Sequence, residues 1–220
     1  MDTLDPLLFN FIGKNREVIV YDSFGIGHSG GSVPETIEAM ASIAVKFLAA
    51  TNLTKVDLIL AGTQSAIGEA VVLPQREVVE GAGANDNLPP TKEDMMFLFF
   101  YPSESSLALG DKWWAKIHER KKEGEERKAY LVGTGAKAQL AAIFSFTVDD
   151  SKFDRLKDIK APTLITNGHT DVMLPTPNSF VLQQEIANAH LILYPDAGHG
   201  HLFQVPELYA KHLEIFLADD

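Results

Sequence analysis

Val18 to Asp22 is a short β-branched apolar run closed by Gly25, Gly27, Gly30 and Gly31, the pattern of a buried strand entering a loop. A helix is predicted next. Ser32 can cap it with Glu35 three residues on, Pro34 lies in its first turn, and Ile37, Met40, Ala41, Ala44, Phe47 and Leu48 recur at helical spacing. Val56 to Ala61 reads as a second strand, ended by Gly62. Nearly continuous apolar strands on either side of a helix describe a parallel unit buried on both faces and joined by a right-handed crossover. The C-terminal third repeats this order. Pro162 introduces a strand over Thr163 to Thr166, Ser179 to Ile186 is helical, His190 to Tyr194 is a strand, and Pro206 starts a closing helix through Leu217. Alternation at both ends predicts an α/β fold with a mostly parallel sheet flanked by helices.

The middle of the chain breaks the pattern. Leu73 to Pro90 is rich in Gly, Asn and Pro and reads as a loop, while Lys92 to Phe146 carries helical patterns with hardly any strand signal. This predicts an α/β core over residues 1–80 and 150–220, with a helical cap inserted over residues 85–149. The stripe Met95, Met96, Phe97, Phe99, Phe100 and Tyr101, with Trp113 and Trp114, either forms the core of that cap or lines an apolar pocket for a small ligand beneath it.

Length and composition narrow the function. At 220 residues, 45% hydrophobic and 22% charged, the chain suits one ordinary globular domain with an insertion. The absence of cysteine removes disulfides, thiolate zinc sites and cysteine nucleophiles. No signal-peptide pattern opens the chain and no apolar run reaches bilayer length, so a cytoplasmic protein without a membrane partner is expected. A net charge of −11 argues against nucleic acid or an anionic membrane as partner, since either would need a concentrated positive surface. The basic cluster from His118 to Lys122, with Arg127 and Lys128, is interleaved with Glu119, Glu123, Glu125 and Glu126 and reads as a solvated helix face.

Candidate chemistry lies near the C-terminus. Asn167-Gly168-His169-Thr170-Asp171 follows one predicted strand, and about 28 residues later Asp196-Ala197-Gly198-His199-Gly200 follows another. Open parallel sheets gather their chemistry at the carboxyl ends of strands, which puts Asp171 and His199 over one crevice. A buried carboxylate fixes the tautomer of such a histidine and stabilises the imidazolium formed when the ring takes a proton from a nucleophile.

The stretches Ile159-Lys160-Ala161-Pro162-Thr163-Leu164, Asp171-Val172-Met173-Leu174-Pro175 and Tyr194-Pro195-Asp196-Ala197-Gly198-His199-Gly200, with Phe203-Gln204, resemble capped members of the α/β-hydrolase superfamily. These members include haloperoxidase-like, epoxide-hydrolase-like and esterase-like enzymes. Tyr21-Asp22 through Gly25-Ile26-Gly27-His28-Ser29 is similar to the family's Asp-x-x-Gly-x-Gly-x-Ser loop. The resemblance spans residues 5–62 and 154–217 and is weak across the insertion. It implies a small ester, epoxide or related substrate, with Asp171 orienting His199 as general base.

Two departures from the family pattern bear on activity. Family members carry a serine on a Gly-x-Ser-x-Gly elbow directly after the strand that Val56-Asp57-Leu58-Ile59 resembles. Here the chain passes straight into Leu60-Ala61-Gly62-Thr63, which is similar to the end of the family's next strand. Parallel strands need a crossover of about a dozen residues, so the two family strands must merge, and the sheet is expected to be short by about one strand and one helix. The chain also begins, at Met1-Asp2-Thr3-Leu4-Asp5, downstream of the family's early oxyanion loop. Loss of nucleophile and oxyanion donors together predicts an impaired or inactive hydrolase.

Ser29, in Gly27-His28-Ser29-Gly30-Gly31, matches the elbow literally, but Asp22 to His28 separate it from its strand. Ser65, in Gly62-Thr63-Gln64-Ser65-Ala66-Ile67-Gly68, is nearer a strand end, with bulky Thr63 and Ile67 where the elbow needs small residues. Either serine in service would make an active serine hydrolase; Ser179 lies on a helix and reads as structural. Three other readings compete. Gly25-x-Gly27-x-x-Gly30 fits a dinucleotide fingerprint but lies too far from its strand, and no ribose-binding acid ends the next strand. His199, His201 and Asp171 could hold zinc but form a weak pattern, so neither metal nor cofactor is expected. A non-catalytic binding protein is the third; a sheet centre left uncovered would favour self-association as a homodimer.

Overall fold

The structure, a computed structural model, describes residues 5–59, 72–75, 77–78, 88–119, 123–128, 130–149 and 151–218. It opens with a helix that the patterning above did not predict, α1 (Pro6–Ile12). Its start is nonetheless written in the sequence. The Asp5 side chain accepts the Leu7 amide at 2.8 Å, and Pro6 occupies a first-turn position where its missing N–H costs nothing. Leu8 and Ile12 are buried, and Asp5 itself is only 2% exposed.

Helix α2 (Ile37–Ala50) begins later than Ser32 predicts. Val33 precedes Pro34, whose ring disfavours helical geometry in the residue before it, and Thr36 becomes the cap by accepting the Ala39 amide at 3.1 Å. Neither Val18–Asp22 nor Val56–Ile59 forms a strand, which corrects both expectations; residues 60 and 61 lie outside the described residues. A strand exists only through a ladder with a neighbour, and neither run has one among the described residues. Tyr21 instead stacks on Phe47 of α2, ring centroids 4.4 Å apart, while Val56, Leu58 and Ile59 remain exposed.

The sheet among the described residues is a parallel pair, β1 (Thr163–Gly168) and β2 (Ala189–Tyr194), in register from Thr163 opposite Ala189 to Gly168 opposite Tyr194. This is the α/β organisation expected, in a shorter sheet than the loss of one strand predicts. Before it come α3 (Lys92–Phe99), α4 (Glu104–Ile117), α5 (Gly133–Thr147) and the short α6 (Ser151–Asp154). Helix α7 (Pro177–Glu185) makes the crossover, and α8 (His201–Gln204) and α9 (Pro206–Ala218) close the chain. Helix α4 ends at Ile117, and residues 120–122 of the basic stretch lie outside the described residues. His118 caps the helix, its Nδ1 2.7 Å from the Trp114 carbonyl, and residues 123–128 turn about Gly124 at φ 76°. Among the described residues no helix is long and apolar enough to cross a membrane.

Two apolar clusters hold these elements. In the first, Leu8 and Ile12 of α1 pack against Tyr194 at the end of β2 and against Tyr209, Ala210 and Leu213 of α9. Beside it Asn15 donates to Glu214 at 2.6 Å, and Arg16 donates to the Leu217 carbonyl at 3.0 Å. The second gathers Met95, Phe100, Trp113 and Ile117, flanked by Phe99 and Tyr130 and by Phe203 of the C-terminal segment. Most of the aromatic stripe is therefore core, though Phe97 is exposed. Phe203 joins that core to the loop carrying His199.

Candidate active site

The tips of β1 and β2 touch at a point only glycine permits. A Cβ on Gly168 would lie 2.2 Å from the Gly198 carbonyl oxygen, so the two loops meet backbone to backbone. His169 N–H donates to the Tyr194 carbonyl at 2.8 Å, and Thr170 N–H to the Ala197 carbonyl at 3.1 Å. Just beyond, the Asp171 N–H donates to Thr176 Oγ1 at 3.1 Å, whose hydroxyl donates to the Gly168 carbonyl at 2.8 Å. This lattice fixes the acid before its side chain makes any contact.

The Asp171 carboxylate is fully engaged. Oδ1 accepts the Met173 and Leu174 amides, each at 2.8 Å, and Oδ2 lies 2.9 Å from His199 Nδ1. An ionised carboxylate can only accept, so the ring nitrogen facing it carries a proton. The sequence-predicted acid and histidine are thus brought together. The Asp171 side chain is 1% exposed and that of His199 13%, so the ring edge reaches solvent while its partner does not.

The helical segment covers His199. Phe99 meets the imidazole edge to face at 5.1 Å, and its carbonyl accepts the Gly200 amide at 2.6 Å. Asp196 sits in the left-handed region at φ 53°, where a non-glycine residue is strained. Its carboxylate accepts the Ser103 hydroxyl at 2.6 Å and the Ser105 hydroxyl on its other oxygen. These bonds, Ser103 first, hold the Asp196 carboxyl below the usual carboxylate range. Gln204 donates to the Asp196 carbonyl at 2.6 Å and accepts the buried Ser106 hydroxyl at 3.0 Å. Sequence reasoning missed this clasp, because Ser103 signals only a helix cap and its partner lies 93 residues away.

His201 sits beneath the site. Its Nδ1 is 3.2 Å from the His199 carbonyl and its Nε2 3.0 Å from Thr166 Oγ1. A carbonyl only accepts, so Nδ1 donates and Nε2 receives the threonine hydroxyl. Burial, and then the neighbouring His199, push its pKa down to about 4. Both of its nitrogens are hydrogen-bonded, and among the described residues no group of three or more His, Asp and Glu could hold a metal ion.

The serines divide differently. Ser29 donates its hydroxyl to the Asp22 carbonyl at 2.6 Å and not to His199. Ser179 accepts the Asn167 side-chain amide at 3.1 Å in the interior. Ser65 lies outside the described residues. The glycine loop also rules against the dinucleotide fingerprint. It folds around the Asp22 carboxylate, which accepts the His28 amide at 3.1 Å and lies 2.4 Å from where a Gly27 Cβ would stand. A pyrophosphate there would meet a negative charge, and the following helix starts only at Ile37.

A parallel β–α–β unit with a closing helix, and an acid and histidine paired at successive strand tips, define an α/β-hydrolase-fold protein. The comparisons agree. The chain is similar to an α/β-hydrolase-fold protein from Chitinophaga pinensis, with 28% identity and a TM-score of 0.79, covering 98% of this chain and 84% of that one. A thermophilic esterase from Thermogutta terrifontis shares the fold at a TM-score of 0.68 and 19% identity, over 98% of this chain and 86% of that one. In sequence the chain is similar to a protein from Caulobacter sp. strain K31 provisionally named as the carbamate hydrolase RutD. They are 24% identical over 230 positions, covering 92% of this chain and 81% of that one. No family model matches the chain. That alignment is longer than the chain itself, so the relative carries positions this chain lacks.

Proposed function

We propose that the protein is a hydrolase-derived ligand-binding protein that keeps the acid–base half of a serine-hydrolase site and performs no ordinary acyl transfer. The observation that carries this is the state of His199. Its Nδ1 is committed to Asp171, and among the described residues no serine hydroxyl is bonded to the ring. A general base without a hydroxyl to deprotonate gives no acyl-enzyme, however well its carboxylate orients it. Ser29, the literal elbow match, has its hydroxyl committed to Asp22. In this reading residues 85–149 form the cap, 1–80 and 150–220 form the core, and a small apolar molecule is held beneath the aromatic helices. The exposed run of Val56, Leu58 and Ile59 supports a homodimer, which sedimentation would detect.

A second reading, an active serine hydrolase using Ser65, is favoured by the similarity to proteins provisionally named as a carbamate hydrolase. A fluorophosphonate probe separates the two. The proposal expects no label on any serine; stoichiometric label on Ser65 or Ser29, abolished by His199→Ala, establishes the active enzyme instead.

A further inference from the structure

His199 stands between two glycines, Gly198 and Gly200, so its backbone is held by contacts from outside the loop and not by its own dihedral preferences. The Phe99 carbonyl supplies one such contact: it would lie 2.9 Å from a Cβ on Gly198 and 3.1 Å from one on Gly200. Asp196 supplies another. Its carboxylate accepts the Ser103 hydroxyl at 2.6 Å, and the same Ser103 oxygen accepts the Ser106 amide at 3.1 Å, which caps α4. Ser106 Oγ donates to Gln204 Oε1 at 3.0 Å, and Gln204 Nε2 donates back to the Asp196 carbonyl at 2.6 Å. Ser103, Ser106, Gln204 and Asp196 thus close a ring of hydrogen bonds that joins the start of α4 to the segment on either side of His199. Ser106 and Gln204, at 0% and 7% exposure, place half of that ring in the interior.

We propose that Asp196 is a positioning residue for His199, the point at which the helical segment fixes the imidazole loop. Asp196 lies at φ 53°, a backbone conformation that carries a steric cost, and the ring of bonds holds it there. Hydrogen bonds to an ionised acceptor are the strong class, so the carboxylate, which also accepts from Ser105, carries most of the hold. Without it the loop loses its tie to α4 and shifts against Phe99. The imidazole then leaves Asp171, whose own place is fixed separately by Thr176 and by the Met173 and Leu174 amides. Among the described residues the Asp196 carboxylate bonds to serines alone, so it acts on the ring through the loop. The role requires only the Asp171–His199 pair and stands whether or not a serine serves it.

Histidine modification by diethyl pyrocarbonate, followed residue by residue by mass spectrometry on the whole chain, tests this. Asp196→Gly keeps the left-handed turn without strain and removes both carboxylate acceptors. The His199 rate should rise about fivefold, toward that of a free ring, since the native side chain is 13% exposed. His201, two residues on and 6% exposed with both nitrogens bonded, is the internal control and should keep its native rate. Ser103→Ala, which leaves the backbone at Asp196 unchanged in sequence, should reproduce the rise. Ser103→Thr keeps both the hydroxyl and the helix cap and should restore the native rate. An unchanged His199 rate in Asp196→Gly would overturn the proposal, and so would a rise there that Ser103→Ala fails to match, because glycine freedom alone would then explain it. A parallel rise at His201 would make the clasp a source of stability and not of position, and a rise in Ser103→Thr equal to that in Ser103→Ala would show that the hydroxyl is not the agent; either result would also overturn it.

Discussion

Lowering the pH from 6.5 to 4 should destabilise this protein through His201. In the unfolded chain a histidine takes up a proton near pH 6.5, whereas burial in the fold delays uptake at His201 until about pH 4. Between those values the unfolded state binds the extra proton, so stability is lost as pH falls from 6.5 to 4 and levels off below. About 2.5 pH units at roughly 1.4 kcal/mol each amount to about 3 kcal/mol, an upper bound if the loop relaxes. The chain has seven histidines, so the His201 contribution must be isolated by difference. His201→Gln keeps a donor and an acceptor in the same place and cannot titrate. Urea unfolding of both proteins at intervals from pH 7 to pH 4 should give curves that converge, the native protein losing about 3 kcal/mol relative to the variant. Parallel curves would refute the argument, because His201 would then titrate alike in both states.

Other consequences follow from single contacts. Asp171→Asn puts an amide where the carboxylate accepts from His199 and from two backbone N–H groups; it should cost about 2–3 kcal/mol in chemical denaturation and remove the low-field Nδ1 proton resonance of His199. Gly168→Ala would drive a methyl into the Gly198 carbonyl and should destabilise by more than about 2 kcal/mol, read as a lowered urea midpoint. Burial raises the Asp5 carboxyl above its ordinary value, so its ionisation opposes folding as pH rises. Asp5→Asn keeps the cap and removes that charge; it should raise stability at pH 7 by up to about 1 kcal/mol, and a loss would show that the charge itself is needed.

The features legible in the sequence were those fixed by local chemistry. Pro162 and Pro206 announced a strand and a helix, and the two motifs ending in Asp171 and His199 located the pair that the structure joins. What escaped depends on partners distant in the chain. Val18–Asp22 and Val56–Ile59 have strand composition, but a ladder is a property of two segments, and among the described residues no neighbour pairs with either. Asp196 lies within a recognised motif, yet nothing local shows that it anchors Ser103 and Ser105. The start of α2 was misplaced because Ser32 and Thr36 are both acceptable caps, and the proline between them decides. Asp5-Pro6 before an apolar run was readable as a helix start, and it is the element the pattern could have supplied.

A histidine held by its acid forms no acyl-serine unless a hydroxyl stands beside it. Pre-steady-state mixing of the protein with p-nitrophenyl acetate tests this most directly. It should give no burst of nitrophenolate and a slow rate indistinguishable from that of His199→Ala. A burst equivalent to the protein concentration, lost in His199→Ala, would show that a nucleophile reaches the imidazole and would contradict the account.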